Sequence, residues 1–148
     1  NFNASIRSAP WEVHQRAIPL FVAHLRPYVP GFVIGLESSE YFDKDRHNQF
    51  YDLIKYVAPD RYVVTHTQSV PRGGIPKLDA VFWEAPWSPH DGDRHSPEEL
   101  VSVSRNAQVT FGGKYIWPME YNINIHGSMI RRQSRALIDA GFGCGGPL

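Results

Sequence analysis

The apolar positions change period along the chain, and the changes divide it into helices and strands. Val13, Ala17, Leu20, Phe21, His24, Leu25 and Tyr28 recur at helical spacing. Ser8 and Pro10 supply a start signal and Pro27, Pro30 and Gly31 a stop. Pro19 falls inside this pattern and predicts a kink or a break. Residues 32–37 form a continuous apolar run ending in Glu37, as expected for a parallel strand covered on both faces. Asp43 is placed to cap a second helix, in which Phe50, Leu53, Ile54 and Val57 keep the i, i+3, i+4, i+7 spacing. Residues 61–67 are β-branched and read as a second strand. Pro71, Gly73, Gly74 and Pro76 then mark a loop too short and too broken for a full crossover helix.

Residues 78–85 predict a third strand, and residues 86–95 a second irregular loop. Ser96-Pro97-Glu98-Glu99 combines a capping serine, proline in the first turn and glutamate three residues on, a strong helix start. That helix should run to about Phe111 and stop at Gly112-Gly113. Residues 114–121 predict a fourth strand, with Pro118 near its end. Ser128 is expected to cap a last helix through Ile130, Ala136, Leu137 and Ile138, and residues 142–145 to form a short final strand or turn. Strands alternating with helices imply an α/β fold whose strands pair in parallel through right-handed crossovers.

The totals narrow the function. A chain of 148 residues is one domain on length, enough to bury roughly two-thirds of its unfolded surface. Fifteen basic and fifteen acidic residues balance, which excludes nucleic-acid or membrane-surface binding driven by net charge. No run is long and apolar enough to span a bilayer. Cys144 is the only cysteine, so no disulfide forms within the chain. Set between glycines without a basic neighbour, it is a poor nucleophile.

The chemistry gathers where the strands are expected to end, which is where parallel β/α sheets bind ligands. In order these ends carry Glu37 and Glu40, His66, Glu84, and Glu120 with Tyr121 and Asn122. Paired carboxylates across a cleft are what glycosidic hydrolysis requires, and Trp83, Trp87 and Trp117 stand beside them as potential stacking platforms for sugar rings. The ordinary alternatives are ion pairs for the glutamates, a hydrogen-bonded strand-end histidine, and core packing for the tryptophans. His90, Asp91, Asp93 and His95 lack any standard zinc or calcium spacing, so no metal and no cofactor is expected. Arg131, Arg132 and Arg135 read as a solvated helix face.

The runs Ile34-Gly-Leu-Glu-Ser-Ser-Glu-Tyr41 and Trp117-Pro-Met-Glu-Tyr-Asn122 resemble strands four and seven of a (β/α)8-barrel glycoside hydrolase of the retaining clan. Barrels of that type also occur in bacteriophage virion and tail proteins. The resemblance implies Glu37 or Glu40 as acid/base and Glu120 as nucleophile. It further implies carbohydrate contacts from His66, Glu84, Trp83, Trp87, Trp117, Tyr121 and Asn122, and an extracellular or phage-particle setting. Leu36-Glu37 stands where that family has Asn-Glu. Five strands are counted where a closed TIM-type barrel takes about eight. The expected fold is therefore an incomplete (β/α)8 barrel, its open edges covered by a missing N-terminal half or by another chain. Two other classes stay open: a non-catalytic glycan-binding or structural module of a larger assembly, and a metal-dependent hydrolase built on His66 and the 90–95 loop.

Overall fold

The computed structural model describes residues 9–85, 95–119 and 127–143. Their order is helix α1 (Trp11–Leu25), strand β1 (Gly31–Ile34), a 3-10 turn (Ser38–Glu40), helix α2 (Lys44–Val57), strands β2 (Tyr62–Thr67) and β3 (Ala80–Glu84), helix α3 (Pro97–Thr110), strand β4 (Tyr115–Met119) and helix α4 (Gly127–Asp139). The strands form one parallel sheet in the order β1-β2-β3-β4, so each pairs with its neighbour in sequence. Among the described residues there are four strands, not five. Phe142 and Gly143 carry no strand assignment, and the remainder of the expected final strand lies outside the described residues.

The register assigns side chains to faces. Ile34 is level with Thr65, Thr65 with Val81, and Val81 with Ile116. Strand side chains alternate between faces, so Phe32, Ile34, Val63, Thr65, Thr67, Val81, Trp83 and Ile116 share one face. The helices pack on that face. Val22 of α1 and Phe50 and Ile54 of α2 meet Phe32, Ile34 and Val63 in one apolar cluster. Leu100, Ala107 and Phe111 from α3 and its end, with Leu137 of α4, meet Val81, Trp83 and Ile116 in a second. Leu100, Ile116 and Leu137 retain no exposed surface, and burial of each such side chain is worth about 1.5–3 kcal/mol. The opposite face carries Val33, Val64, His66, Phe82, Glu84 and Trp117. There the central Val64 and His66 are buried, while Val33, Tyr62, Tyr115 and Trp117 towards the strand ends and edges are exposed.

Several local expectations hold. Asp43 caps α2, its carboxylate accepting from the Arg46 N–H at 2.9 Å. Ser96 and Glu99 close a full capping box on α3. That helix ends with Gly113 N–H on the Gln108 carbonyl and Gly112 N–H on that of Val109, Gly112 taking a positive φ of 65°.

Other expectations are corrected. Helix α1 runs unbroken through Pro19. Pro19 has no N–H to offer the Gln15 carbonyl, but Gln15 is on the exposed side of the helix, where water can serve it. Its packed side is also different from the one the apolar pattern indicates. Trp11, His14, Ile18, Val22 and Leu25 face inward, whereas Val13, Leu20 and Phe21 are exposed. The first strand ends at Ile34 rather than Glu37, because Gly35 takes a φ of 66° and turns the chain. Ser128 lies inside α4 and does not cap it, since the helix already begins at Gly127.

No helix joins β2 to β3. The intervening loop is held by Asp79, whose N–H donates to the Val63 carbonyl at 2.9 Å and whose carboxylate accepts the Val63 N–H at 2.8 Å. Lys55 pairs with the same carboxylate at 2.7 Å, and the Tyr51 hydroxyl donates to it at 3.3 Å. Asp79 thus closes a parallel connection that ordinarily needs a helix.

Candidate functional site at the strand ends

The gap left by the absent crossover helix falls beneath the end of β2, between the two apolar clusters. It is filled by polar groups. Ser38, His47, Thr65 and Thr67 are all fully buried. The Ser38 hydroxyl pairs with the Thr65 hydroxyl and lies 3.2 Å from the His66 carbonyl. His47 Nδ1 lies 2.8 Å from the Asp43 carbonyl, which can only accept, so Nδ1 carries the proton and Nε2 accepts from Ser38 at 3.0 Å. Burial pushes the His47 pKa below its ordinary value, against the opposing pull of the Asp43 carbonyl bond and carboxylate. One residue further on, Thr67 pairs with Ser39. These contacts fasten the 3-10 turn to β2 residue by residue. Ser38 and His47 resemble a nucleophile and base only in spacing. Both are sealed from solvent and the third member is a backbone carbonyl, so they brace the turn.

The turn fixes Glu37. Its φ of 49° and ψ of 40° put it in the left-handed region, alone among the described residues other than glycine. Such a conformation costs a non-glycine residue about 1–2 kcal/mol. It is maintained by the bonds on either side, Glu37 N–H donating to His66 Nδ1 at 3.3 Å and Ser38 holding Thr65. His66 is buried on the sheet face opposite the helices. Since Nδ1 accepts, the neutral ring carries its proton on Nε2.

The structure separates the expected site residues. Glu37 is half-buried over His66. Glu40 is exposed at the end of the 3-10 turn, with its Oε2 accepting from the Tyr41 hydroxyl at 2.7 Å. Glu84 is half-buried at the end of β3, in register with Met119 and on the same face as His66 and Phe82. Trp117 lies on that face too, level with Phe82, whose ring meets it edge-on at 5.7 Å. A side chain at Gly143 would come within 2.7 Å of the indole, so backbone packs closely against it. Trp83 requires a correction. It points to the helix side, is 5% exposed, and donates from Nε1 to the Gln68 carbonyl at 3.1 Å. It is a core residue and offers no platform. Trp87, Glu120, Tyr121 and Asn122 lie outside the described residues, as do His90, Asp91 and Asp93.

Among the described residues, no three His, Cys, Asp or Glu side chains are placed to hold a metal ion. His95 is buried, and its carbonyl accepts from Gln133. A polar groove of about 380 Å³ lies on the outer side of the turn, lined by His14, Tyr41, Asp43, Arg46, Gln49 and Arg72 among others. It includes none of Glu37, His66 and Glu84. The Arg46 N–H bond, outweighing partial burial and joined by the nearby Arg72, holds the Asp43 carboxyl below its usual range.

Sequence reasoning missed Ser38, His47, Thr65 and Thr67. A run of hydroxyl residues after a strand and a histidine on the inner side of a helix were the available signals, but either occurs equally on a surface. Comparison with protein families, with curated proteins and with solved structures finds no match for this chain.

Proposed function

We propose that the chain is a glycoside hydrolase-like β/α barrel domain acting on a polysaccharide, with glutamates at the strand ends as its chemical groups. The observation that carries this reading is Glu37, a carboxylate kept in a strained left-handed turn at the end of a parallel strand. Strain of this kind persists where surrounding structure over-determines it, and it concentrates at functional sites. The architecture is compatible with the reading. Sequential parallel strands with all packed helices on one face are what a section of barrel wall contains, and the other face then becomes the lumen. A closed wall takes about eight strands. On this reading, strands from further sequence or from another chain complete it beyond β1 and β4, the outer strands among the described residues.

The test is release of reducing ends from a panel of soluble polysaccharides by the purified protein. Glu→Gln variants at 37, 40, 84 and 120 are assayed in parallel. The expected result is hydrolysis by the wild type and its loss in two of the variants. Unchanged rates in all four variants would exclude glutamate chemistry, and binding without turnover on any glycan would leave a non-catalytic carbohydrate module.

A further inference from the structure

The groove on the outer side of the turn holds two groups whose hydrogen-bonding capacity the protein leaves unmet. Its lining includes His14 from α1, Asp43, Asp45, Arg46 and Gln49 from the start of α2, and Arg72 from the loop after β2. His14 is 9% exposed, its ring 6.1 Å from that of Trp11 and edge-on to Phe50 at 5.3 Å. Among the described residues neither of its nitrogens has a hydrogen-bond partner, and either neutral tautomer keeps one N–H to donate. The Arg46 guanidinium lies over the Trp11 ring, 4.6 Å from its centre. It forms no ion pair or hydrogen bond among the described residues, and its Nη1 is buried without a partner. Buried polar groups are ordinarily paired, and an arginine braced on an aromatic ring keeps a planar fork of donors that matches a carboxylate.

The acceptors beside these donors are engaged or solvated. Asp43 accepts the Arg46 backbone N–H and lies 3.6 Å from Arg72, while Asp45 is exposed. The groove therefore lacks an acceptor for Arg46 and His14. Its two arginines balance its two aspartates, so affinity for an anion comes from directed, charge-assisted hydrogen bonds and not from net charge. That balance favours a singly charged carboxylate over a doubly charged phosphate, which the two aspartates repel more strongly. Asp45 and Gln49 leave acceptors for hydroxyl groups alongside. A volume of about 380 Å³ is within the range of small-ligand sites.

We propose that this groove is an accessory binding subsite for a uronic acid residue, whose carboxylate accepts from the Arg46 guanidinium and from His14. The inference rests on the hydrolase reading above for the polymer to which that sugar belongs, and it narrows the substrate class to acidic polysaccharides. The groove includes none of Glu37, His66 and Glu84, so the sugar it holds is not the one cleaved. It anchors the polymer beside the strand ends. Arg72, exposed at the rim with its side chain 89% accessible, adds a weaker, solvated contact.

The experiment is calorimetric titration of the purified protein with sodium glucuronate, glucose and inorganic phosphate, repeated on Arg46→Gln and Arg72→Gln. Thermal melting confirms that each variant is folded, and Arg72→Gln alters an exposed side chain that the fold does not need. The expected result is saturable binding of glucuronate, with glucose and phosphate each at least about tenfold weaker. Arg46→Gln is expected to weaken glucuronate about 10–100-fold, and Arg72→Gln about 2–5-fold. Glucose or phosphate binding as tightly as glucuronate overturns the carboxylate assignment. Wild-type affinity in folded Arg46→Gln, or in Arg72→Gln should Arg46→Gln not fold, overturns the site. Polysaccharide hydrolysis without glucuronate binding overturns the subsite alone, whereas glucuronate binding without hydrolysis of any polysaccharide overturns the hydrolase reading and leaves the subsite standing.

Discussion

The Glu37 backbone N–H donates to His66 Nδ1 across 3.3 Å, joining the turn after β1 to a buried ring on β2. This bond and the Ser38–Thr65 pair beside it hold Glu37 left-handed against its intrinsic preference. Relief of that strain has a measurable sign. Glu37→Gly is expected to raise stability by about 0.5–1 kcal/mol, the relief of left-handed strain exceeding the entropy that glycine adds to the unfolded chain. Glu37→Ala, which removes the carboxylate but keeps the strain, should not. Denaturant midpoints decide the matter, and a lower midpoint for Glu37→Gly would show that the turn is not strained.

His47 makes stability depend on pH in a defined window. It is fully buried, and its pKa in the fold lies below the ordinary 6.5. As pH falls below about 6.5 the unfolded chain takes up a proton at this ring while the folded chain resists it. The contribution is therefore complete above that value and is lost progressively towards the lower folded pKa. His47→Gln is expected to be less stable at neutral pH, because the Ser38 network loses its partner. It should also show a flatter stability profile as the pH falls below about 6.5. An unchanged slope in thermal melts across that range would refute the role given to His47.

Asp79 acts in a lower window. Partial burial raises its pKa, but the Lys55 ammonium and the Val63 N–H outweigh that and hold it below 3.8. Its contribution is present above that value and is lost as the pH falls through the folded pKa. Asp79→Asn leaves Lys55 without its 2.7 Å partner and is expected to cost about 1.5–3 kcal/mol at neutral pH. Urea unfolding at pH 7 and pH 3 measures this, with a smaller difference expected at pH 3. Equal differences at the two pH values would show that the charge is unimportant.

The packing of α1 separates neighbouring positions. Val22 is 1% exposed, whereas Leu20 and Phe21 are 74% and 61% exposed. Val22→Ala is expected to destabilise by about 1–3 kcal/mol through the cavity it leaves. Leu20→Ser and Phe21→Ser should each stay within about 0.5 kcal/mol of the wild type. Thermal or urea unfolding of the three variants checks the helix orientation, and a large loss at Phe21 would reverse it.

Much of the element order is legible in the sequence alone. Continuous apolar runs, the Asp43 and Ser96 caps and the Gly112-Gly113 stop act within a few residues of themselves, so α2, α3, β2, β3 and β4 fall close to where local signals put them. The broken 68–77 stretch is likewise readable as loop. The side that α1 buries is not, because Leu20 and Phe21 satisfy helical spacing as well as Ile18 and Val22 do. Spacing cannot say which stripe meets the sheet. Trp83 illustrates the same limit on a strand. Its neighbours in sequence place it beside a carboxylate tip, but alternation and register turn its ring into the core while Phe82 and Glu84 face the other way.

By itself, then, the sequence determined an α/β chain with parallel pairing and acidic strand ends, since propensity, capping and hydrophobic period are local properties. Tertiary structure alone decided which sheet face each strand-end residue takes. The diagonal placement of His66 and Glu84 arises from the pairing of β2 with β3 across the loop between them. The left-handed Glu37 arises from bonds between its turn and β2, separated by 27 and more positions. No local preference favours that backbone for a glutamate. It exists because the buried Ser38, Thr65 and His47 must satisfy one another where no crossover helix covers the sheet, and doing so fixes the turn that carries the carboxylate.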